Sequence, residues 1–213
     1  MENSVLATLA AVGALVTGDH LVYTSGRHGS SYVNKDALYP HTAATSAVCA
    51  LLAQHFASAE VEVVAGPTVG GVIMAQWTAH HLSAMTGREV LAVYAEEEQV
   101  GEARLRRLRR GYDRLVAGRR VLVVEDILTT GLSARLVVEA VTAAGGQVVG
   151  LGALCNRGGV TASQLGAPSL FALTDVPLES YDPADCPLCA AGFPVNTRLG
   201  KGAAFIKARL QVP

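Results

Sequence analysis

Two acids, Glu125 and Asp126, stand side by side at the end of the apolar run Val121 to Val124, and two threonines, a glycine and a serine follow at once. Carboxylates accept hydrogen bonds, and a ribose offers them from neighbouring hydroxyls. The stretch Ile127, Leu128, Thr129, Thr130, Gly131, Leu132, Ser133 leads into a helical pattern. Consecutive backbone N–H groups and hydroxyls at a helix N-terminus form a cradle for one phosphate, with Gly131 permitting the tight path. Two acids for a sugar and then a loop for its phosphate describe a ribose 5-phosphate site. Neither GxxxxGK[ST] nor GxGxxG occurs, so this is a phosphate cradle without a lysine. The plain alternative is a strand end followed by a helix cap, but paired acids at the end of a buried strand are costly unless solvated or partnered.

Other residues are less specific. Gly66-Pro67-Thr68-Val69-Gly70-Gly71 follows the run Val61 to Ala65 and opens another helical pattern, so its amides can receive a second phosphate group; many such turns are glycine-rich for packing alone. Arg157 follows a strand, where a planar guanidinium grips a carboxylate or simply faces solvent. The segment 96–118 holds most of a dense group of arginines: eight of the seventeen basic residues fall between Arg104 and Arg120. It reads either as an exposed hairpin with a helical or strand-like arm or as a mobile functional loop; glutamate–arginine pairs on a solvated face are its bland alternative. The cysteine pair in CPLC, Cys186 and Cys189, supplies half of a tetrahedral zinc site, and no second pair at ligand spacing follows, so a structural turn is the better reading.

The elements that must hold these residues alternate. Strand-like runs lie at Val61 to Ala65, Glu89 to Val93, Arg120 to Glu125, Gln147 to Leu154 and Ser169 to Leu173. Helical patterns lie at Thr42 to Phe56, Gly70 to Met85 and Gly131 to Ala144. That rhythm predicts an α/β fold, a doubly wound, mainly parallel sheet with helices on both faces. Val5, Leu9, Val12, Leu15 and Val16 predict an N-terminal amphipathic helix stopping at Gly18, and the Pro-rich segment after Asp175 is expected to wrap the sheet edge.

Composition bounds the function. The 213 residues carry a formal net charge of −1 and suit one domain, with no basic surface broad enough for a nucleic-acid partner. Glu2 precedes the first apolar run and no basic residue appears before Arg27, which argues against a signal peptide, and no stretch is apolar for long enough to cross a bilayer. Four cysteines are too few for a disulfide scaffold and fit a reducing cytoplasm.

The run VLVVEDILTTGLS resembles the phosphoribosyl pyrophosphate (PRPP) motif of type I phosphoribosyltransferases. YTSGRHGSSYVNKDAL, GPTVGGVIMA, LRRGY, CNRGG and CPLCAAGFPV, in this order over most of the chain, resemble the orotate phosphoribosyltransferases. The resemblance implies a magnesium-dependent transfer of ribose 5-phosphate from PRPP to orotate by a homodimer, within a fold carrying a small hood formed by segments 1–40 and 175–213. It assigns Glu125 and Asp126 to the ribose, Ile127 to Ser133 to the 5'-phosphate, and Pro67, Thr68, Val69 and Gly70 to pyrophosphate. Thr129, Arg157, Tyr32 and Lys35 fall to orotate, and Mg2+ is held mainly by PRPP rather than by a dedicated protein cluster. The basic loop would close over pyrophosphate through Arg104, Arg106, Arg107, Arg109 or Arg110. Here the chain departs from the pattern: YAEEE carries glutamates where relatives commonly have Arg or Lys, and the only lysines are Lys35, Lys201 and Lys207. An arginine stays cationic and does not readily give up a proton, so a PRPP-binding regulator without turnover stands as an alternative, as does the same chemistry on a purine or uracil.

Overall fold

The computed structural model describes residues 2–23, 25–175 and 180–209. Helix α1 (Glu2–Ala11) is followed by the antiparallel hairpin of β1 (Leu15–Val22) and β2 (His28–Val33), then by α2 (Lys35–Leu38) and α3 (Thr42–Phe56). The expected run of the first helix to Gly18 is wrong. Gly13, at φ 70°, takes the left-handed position, with Ala14 N–H donating to Leu9 O and Gly13 N–H to Ala10 O, which closes the helix. Leu15 and Val16 therefore belong to β1, and Gly18 sits at its register shift.

The main sheet comprises β3 (Val63–Pro67), β4 (Leu91–Val100), β5 (Ala103–Arg107), β6 (Arg120–Leu128), β7 (Gln147–Asn156) and β8 (Leu170–Asp175). Its order is β5-β4-β3-β6-β7-β8, parallel throughout except for the β4–β5 hairpin. The crossovers carry α4 (Gly70–Thr86), α5 (Tyr112–Val116), α6 (Leu132–Ala143) and α7 (Ala162–Leu165); α8 (Pro187–Ala190) and α9 (Gly202–Arg209) come last. The segment 96–118 is thus a strand hairpin plus one short helix, and its first arm is an extension of β4.

Helices cover both faces, which explains why β6 is apolar at successive positions rather than alternate ones. Leu122 and Val124 share a core with residues of α1, α3 and α4, while Val121 and Val123 share the other with α6, and all four are fully buried. The chain moves from β3 to β4 on one side and from β6 to β7 and β8 on the other. The gap between the carboxyl ends of β3 and β6 is therefore the switch point, where open α/β sheets hold ligands.

The C-terminal segment does not wrap the sheet edge as expected. It packs on the β1–β2 hairpin: His28 and Tyr181 form a two-way backbone bridge, Asn196 N–H donates to His20 O, and Lys201 N–H donates to Val22 O. Contact with the edge strand β8 comes instead from α1. Pro177, one of the residues behind that expectation, lies outside the described residues.

Candidate active site

Glu125 and Asp126 are the sixth and seventh of the nine residues of β6, each 6% exposed. Asp126 Oδ1 accepts from Ile127 N–H at 2.6 Å, and Oδ2 accepts from Tyr39 Oη–H at 2.7 Å with Lys35 Nζ 3.5 Å away. Glu125 Oε1 accepts from Asp126 N–H at 3.0 Å. Burial, followed by the neighbouring Asp126 charge, pushes the Glu125 carboxyl up to about 8. Burial and Asp126 likewise hold the Tyr39 phenol far above its ordinary value. Burial alone would lower Lys35, but its hydrogen bond to Asp36 and the Asp126 charge leave it raised and cationic.

The loop after β3 meets these acids directly. Val69 precedes the first residue of α4, and the Thr68–Val69 peptide is cis. A Cβ on Gly70 would collide with Asp126 Oδ2 and Tyr39 Oη, so only glycine lets the start of α4 lie against the acids. The loop after β6 begins three residues beyond Asp126, at Thr129. Thr129 and Thr130 are exposed, Thr130 Oγ1 accepts from Leu132 N–H at 3.3 Å, and Gly131, at φ 75°, turns the chain into α6 with Ser133 in its first turn. Ile127 and Leu128, placed by the sequence in the phosphate loop, are instead the last two residues of β6, which pairs with β7 as far as Leu128.

One arginine joins the two loops. Arg106 is 9% exposed; Nη1 donates to Thr68 Oγ1 at 3.0 Å, Nη2 donates to Ser133 Oγ at 2.9 Å, and Nη2 lies 3.3 Å from Glu97. Its Nε–H has no hydrogen-bond acceptor among the described residues. Arg107 and Arg109 bind Glu98 at 2.7 and 2.6 Å and Arg110 binds Glu96 at 2.9 Å, all on the exposed side of the hairpin, while Arg104 is exposed near its tip. Two glutamates of YAEEE, Glu96 and Glu98, thus occupy the outer arginines, while the third, Glu97, lies beside the inward one.

Arg157 follows β7, its N–H donating to Leu128 O at 2.9 Å, and its guanidinium lies 5.2 Å from the ring centre of Tyr23. A Cβ on Gly158 would strike Thr129 O, which fixes this turn against the phosphate loop. Tyr32 is half-buried on β2 opposite Val16, and the contacts reaching Asp126 come from Lys35 and Tyr39 rather than from Tyr32. Sequence reasoning passed over Tyr39 and Tyr23. Both lie in or beside the stretch that named Tyr32 and Lys35, but no spacing marks them out.

A two-acid, two-loop site at the β3–β6 switch point is one at which comparison with known proteins is decisive. Residues 34–166 match the family described as the phosphoribosyl transferase domain. The chain is 38% identical over 193 residues to the orotate phosphoribosyltransferase of Pelotomaculum thermopropionicum, spanning 91% of this chain and 94% of that relative. The chain belongs to the orotate phosphoribosyltransferase family. It is also 35% identical over 194 residues to the orotate phosphoribosyltransferase of Thermotoga maritima, covering 91% and 96% of the two chains. The crystal structure of the Mycobacterium tuberculosis H37Rv orotate phosphoribosyltransferase in complex with PRPP is similar at a TM-score of 0.61 and 28% identity, covering 82% of this chain and 96% of that one. Within the orotate phosphoribosyltransferase frame, the matched segment 34–166 holds the acids, the loops after β3 and β6, Arg106 and Arg157, and leaves the β1–β2 hairpin and the C-terminal segment outside. No helix among the described residues is long and apolar enough to cross a membrane.

Proposed function

We propose that this chain transfers ribose 5-phosphate from PRPP to a ring nitrogen of orotate, forming orotidine 5'-monophosphate and releasing pyrophosphate. The observation that carries the reading is the buried Asp126 lying against the glycine start of α4, with Arg106 joining Thr68 before that helix to Ser133 in the first turn of α6. Asp126 takes a ribose hydroxyl through Oδ2, the oxygen now shared with Tyr39 and Lys35. Glu125, whose carboxyl burial holds well above its ordinary value in the ligand-free chain, gives up its proton as the ribose hydroxyls arrive and accepts from them. The amides of 129–133 hold the 5'-phosphate, and Pro67 to Gly70 with Arg106 hold pyrophosphate.

As the bond from the anomeric carbon to pyrophosphate breaks, positive charge grows on the ribose and negative charge on the leaving group. Arg106 meets the second, and its arginine chemistry supplies fixed charge rather than a proton. Arg157 grips the orotate carboxylate as a planar fork, with the Tyr23 ring behind it and the Thr129 backbone beside it. The hairpin and C-terminal segment act as the hood over this base.

The donor set fits Mg2+ held chiefly by the substrate. The site offers oxygen ligands, but Asp126 already uses both oxygens and Glu125 one, leaving few for a dedicated cage. When bound, Mg2+ neutralises pyrophosphate charge. We also place the chain in the cytoplasm as a homodimer, a reading supported by the family resemblance and by four free cysteines.

The test is purified protein with PRPP, magnesium and orotate, followed by loss of orotate absorbance. Turnover is expected. Magnesium-dependent PRPP binding without turnover would instead make the chain a regulator, and turnover only with adenine, hypoxanthine or uracil would change the base.

A further inference from the structure

The hairpin and the C-terminal segment share a feature that nucleotide chemistry does not use. His20 on β1, His28 on β2, and Cys186 and Cys189 at the start of α8 direct one donor atom each into a common point, all four within 4.8 Å of one another. His20 and His28 are 1% and 0% exposed, Cys186 is 2% exposed, and Cys189 is half-buried. Cys189 Sγ lies 3.3 Å from His28 Nδ1 and 3.6 Å from His20 Nε2, Cys186 Sγ lies 3.7 Å from His20 Nε2, and the two ring nitrogens are 2.9 Å apart.

We propose that His20 Nε2, His28 Nδ1, Cys186 Sγ and Cys189 Sγ form a structural zinc site that pins the C-terminal segment to the β1–β2 hairpin. A tetrahedron with Zn–S of about 2.3 Å and Zn–N of about 2.0–2.1 Å has edges of about 3.3–3.8 Å. The three sulfur–nitrogen distances fall in that range, and the histidines need to part by only about 0.4 Å. Two nitrogens and two sulfurs in a tetrahedron select zinc among common divalent ions.

Protons are arranged to suit. The Phe193 carbonyl, 2.7 Å from His20 Nδ1, can only accept, so Nδ1 carries the hydrogen and Nε2 turns its lone pair into the cluster. A backbone carbonyl orienting a metal-bound imidazole in this way is a common outer partner. His28 Nε2 has no hydrogen-bond partner among the described residues and its ring meets the Phe205 ring edge to face at 4.6 Å, so that nitrogen suits the N–H side while Nδ1 ligates. Without a metal, a lone His–His hydrogen bond and two thiols would fill a buried point that gives weak donors nothing strong to bind. Zn2+ with two thiolates and two neutral imidazoles is neutral overall, binding displaces one proton from each thiol, and four protein ligands leave no open position for catalysis.

The site lies outside the segment 34–166 that matches the transferase family, and it stands whether or not the base is orotate. It grips both strands just behind the turn in which Tyr23 N–H donates to Arg27 O, and it ties in a segment whose own helices are short.

Elemental analysis of the full chain, purified under reducing conditions without added metal, is expected to give about one zinc per chain. Stripped protein titrated with Co2+ should develop the intense visible bands of a tetrahedral thiolate site and release about two protons per chain. Cys189→Ser should lower zinc content at least tenfold and, in the same preparation, speed proteolysis within 180–209. Should that variant fail to fold, the wild-type zinc content and cobalt spectrum still decide. Zinc below about a tenth per chain together with a weak, octahedral cobalt spectrum would overturn the site, as would a Cys186–Cys189 disulfide in reduced protein or iron in place of zinc.

Discussion

The switch point between β3 and β6 and the assembly of the β1–β2 hairpin with the C-terminal segment are built on opposite principles. At the switch point, parallel strands deliver two short loops to one edge, and buried acids, glycines and one arginine leave polar groups under-used. In the hairpin assembly little regular structure is available, and contacts between residues far apart in sequence carry the order: His28 and Cys189 meet across 161 positions and Asp19 and Asn196 across 177. The first region keeps its shape without ligand because the sheet enforces it. The second depends on point contacts, which is why removing one partner there should unfasten a whole segment while removing one at the switch point should mainly weaken binding.

The sharpest way to break that contrast is Asp126→Ala. It removes the group that Tyr39, Lys35 and the start of α4 surround, and kcat/KM should fall on the order of a thousandfold. The fold should survive, because what loses its partner is the Tyr39 phenol and the Ile127 N–H, about 1–3 kcal/mol each, while Lys35 keeps Asp36. Circular dichroism and PRPP titration separate the two: unfolding with the activity loss would erase the distinction drawn above. Arg106→Ala comes next. One guanidinium bridges Thr68 and Ser133, so its removal should weaken PRPP binding by about 1.5–3 kcal/mol and leave orotate affinity near that of the wild type. If Arg107→Ala or Arg109→Ala has the larger effect, the outer ion pairs rather than the inward arginine face the substrate.

Arg157→Ala tests the seam between the two regions. Its guanidinium faces the Tyr23 ring from the hairpin while its backbone is tied to Leu128 of β6. Orotate binding should weaken roughly tenfold to a hundredfold, with PRPP binding little changed. Equal losses for both ligands would mean that Arg157 supports the phosphate loop rather than the base.

The same division governs how much the sequence discloses. Periodicity is local, and it locates Thr42–Phe56 to the residue and the successive apolar positions of β6, although that strand runs on past the two acids to Leu128. Glycine positions at the loops are legible because turns need them. What periodicity does not carry is pairing at a distance. Five arginines in one hairpin look alike in sequence, and only the antiparallel register, which sets Arg106 opposite Glu97 and turns it inward, separates one from the rest. Tyr39 becomes a site residue only because α2 leads it under Asp126. CPLC reads as half a metal site because the complementary histidines sit on two upstream strands with no ligand-like spacing between them. The first helix ends early for a local reason, Gly13, but Leu15 and Val16 continue its apolar rhythm into a strand.

The smallest expected effect concerns Glu125 and is a matter of pH. Its carboxyl has an ordinary value of 4.5 and is held at about 8 in the folded chain, chiefly by burial, so the folded protein binds a proton that the unfolded chain gives up. A group raised in this way contributes stability that is complete below about 4.5 and is lost as pH rises through about 8. Thermal midpoints of the ligand-free wild type should therefore decline across that window by an amount that Glu125→Gln lacks, since the amide cannot ionise. Binding PRPP with magnesium brings hydroxyls and a cation to the same carboxyl and favours its charged form, so complex formation near neutral pH should release a proton that the variant does not. Parallel stability profiles for the two proteins, with equal proton release, would show that Glu125 is already ionised and solvated, and that the switch point is less closed to water than the hairpin assembly beside it.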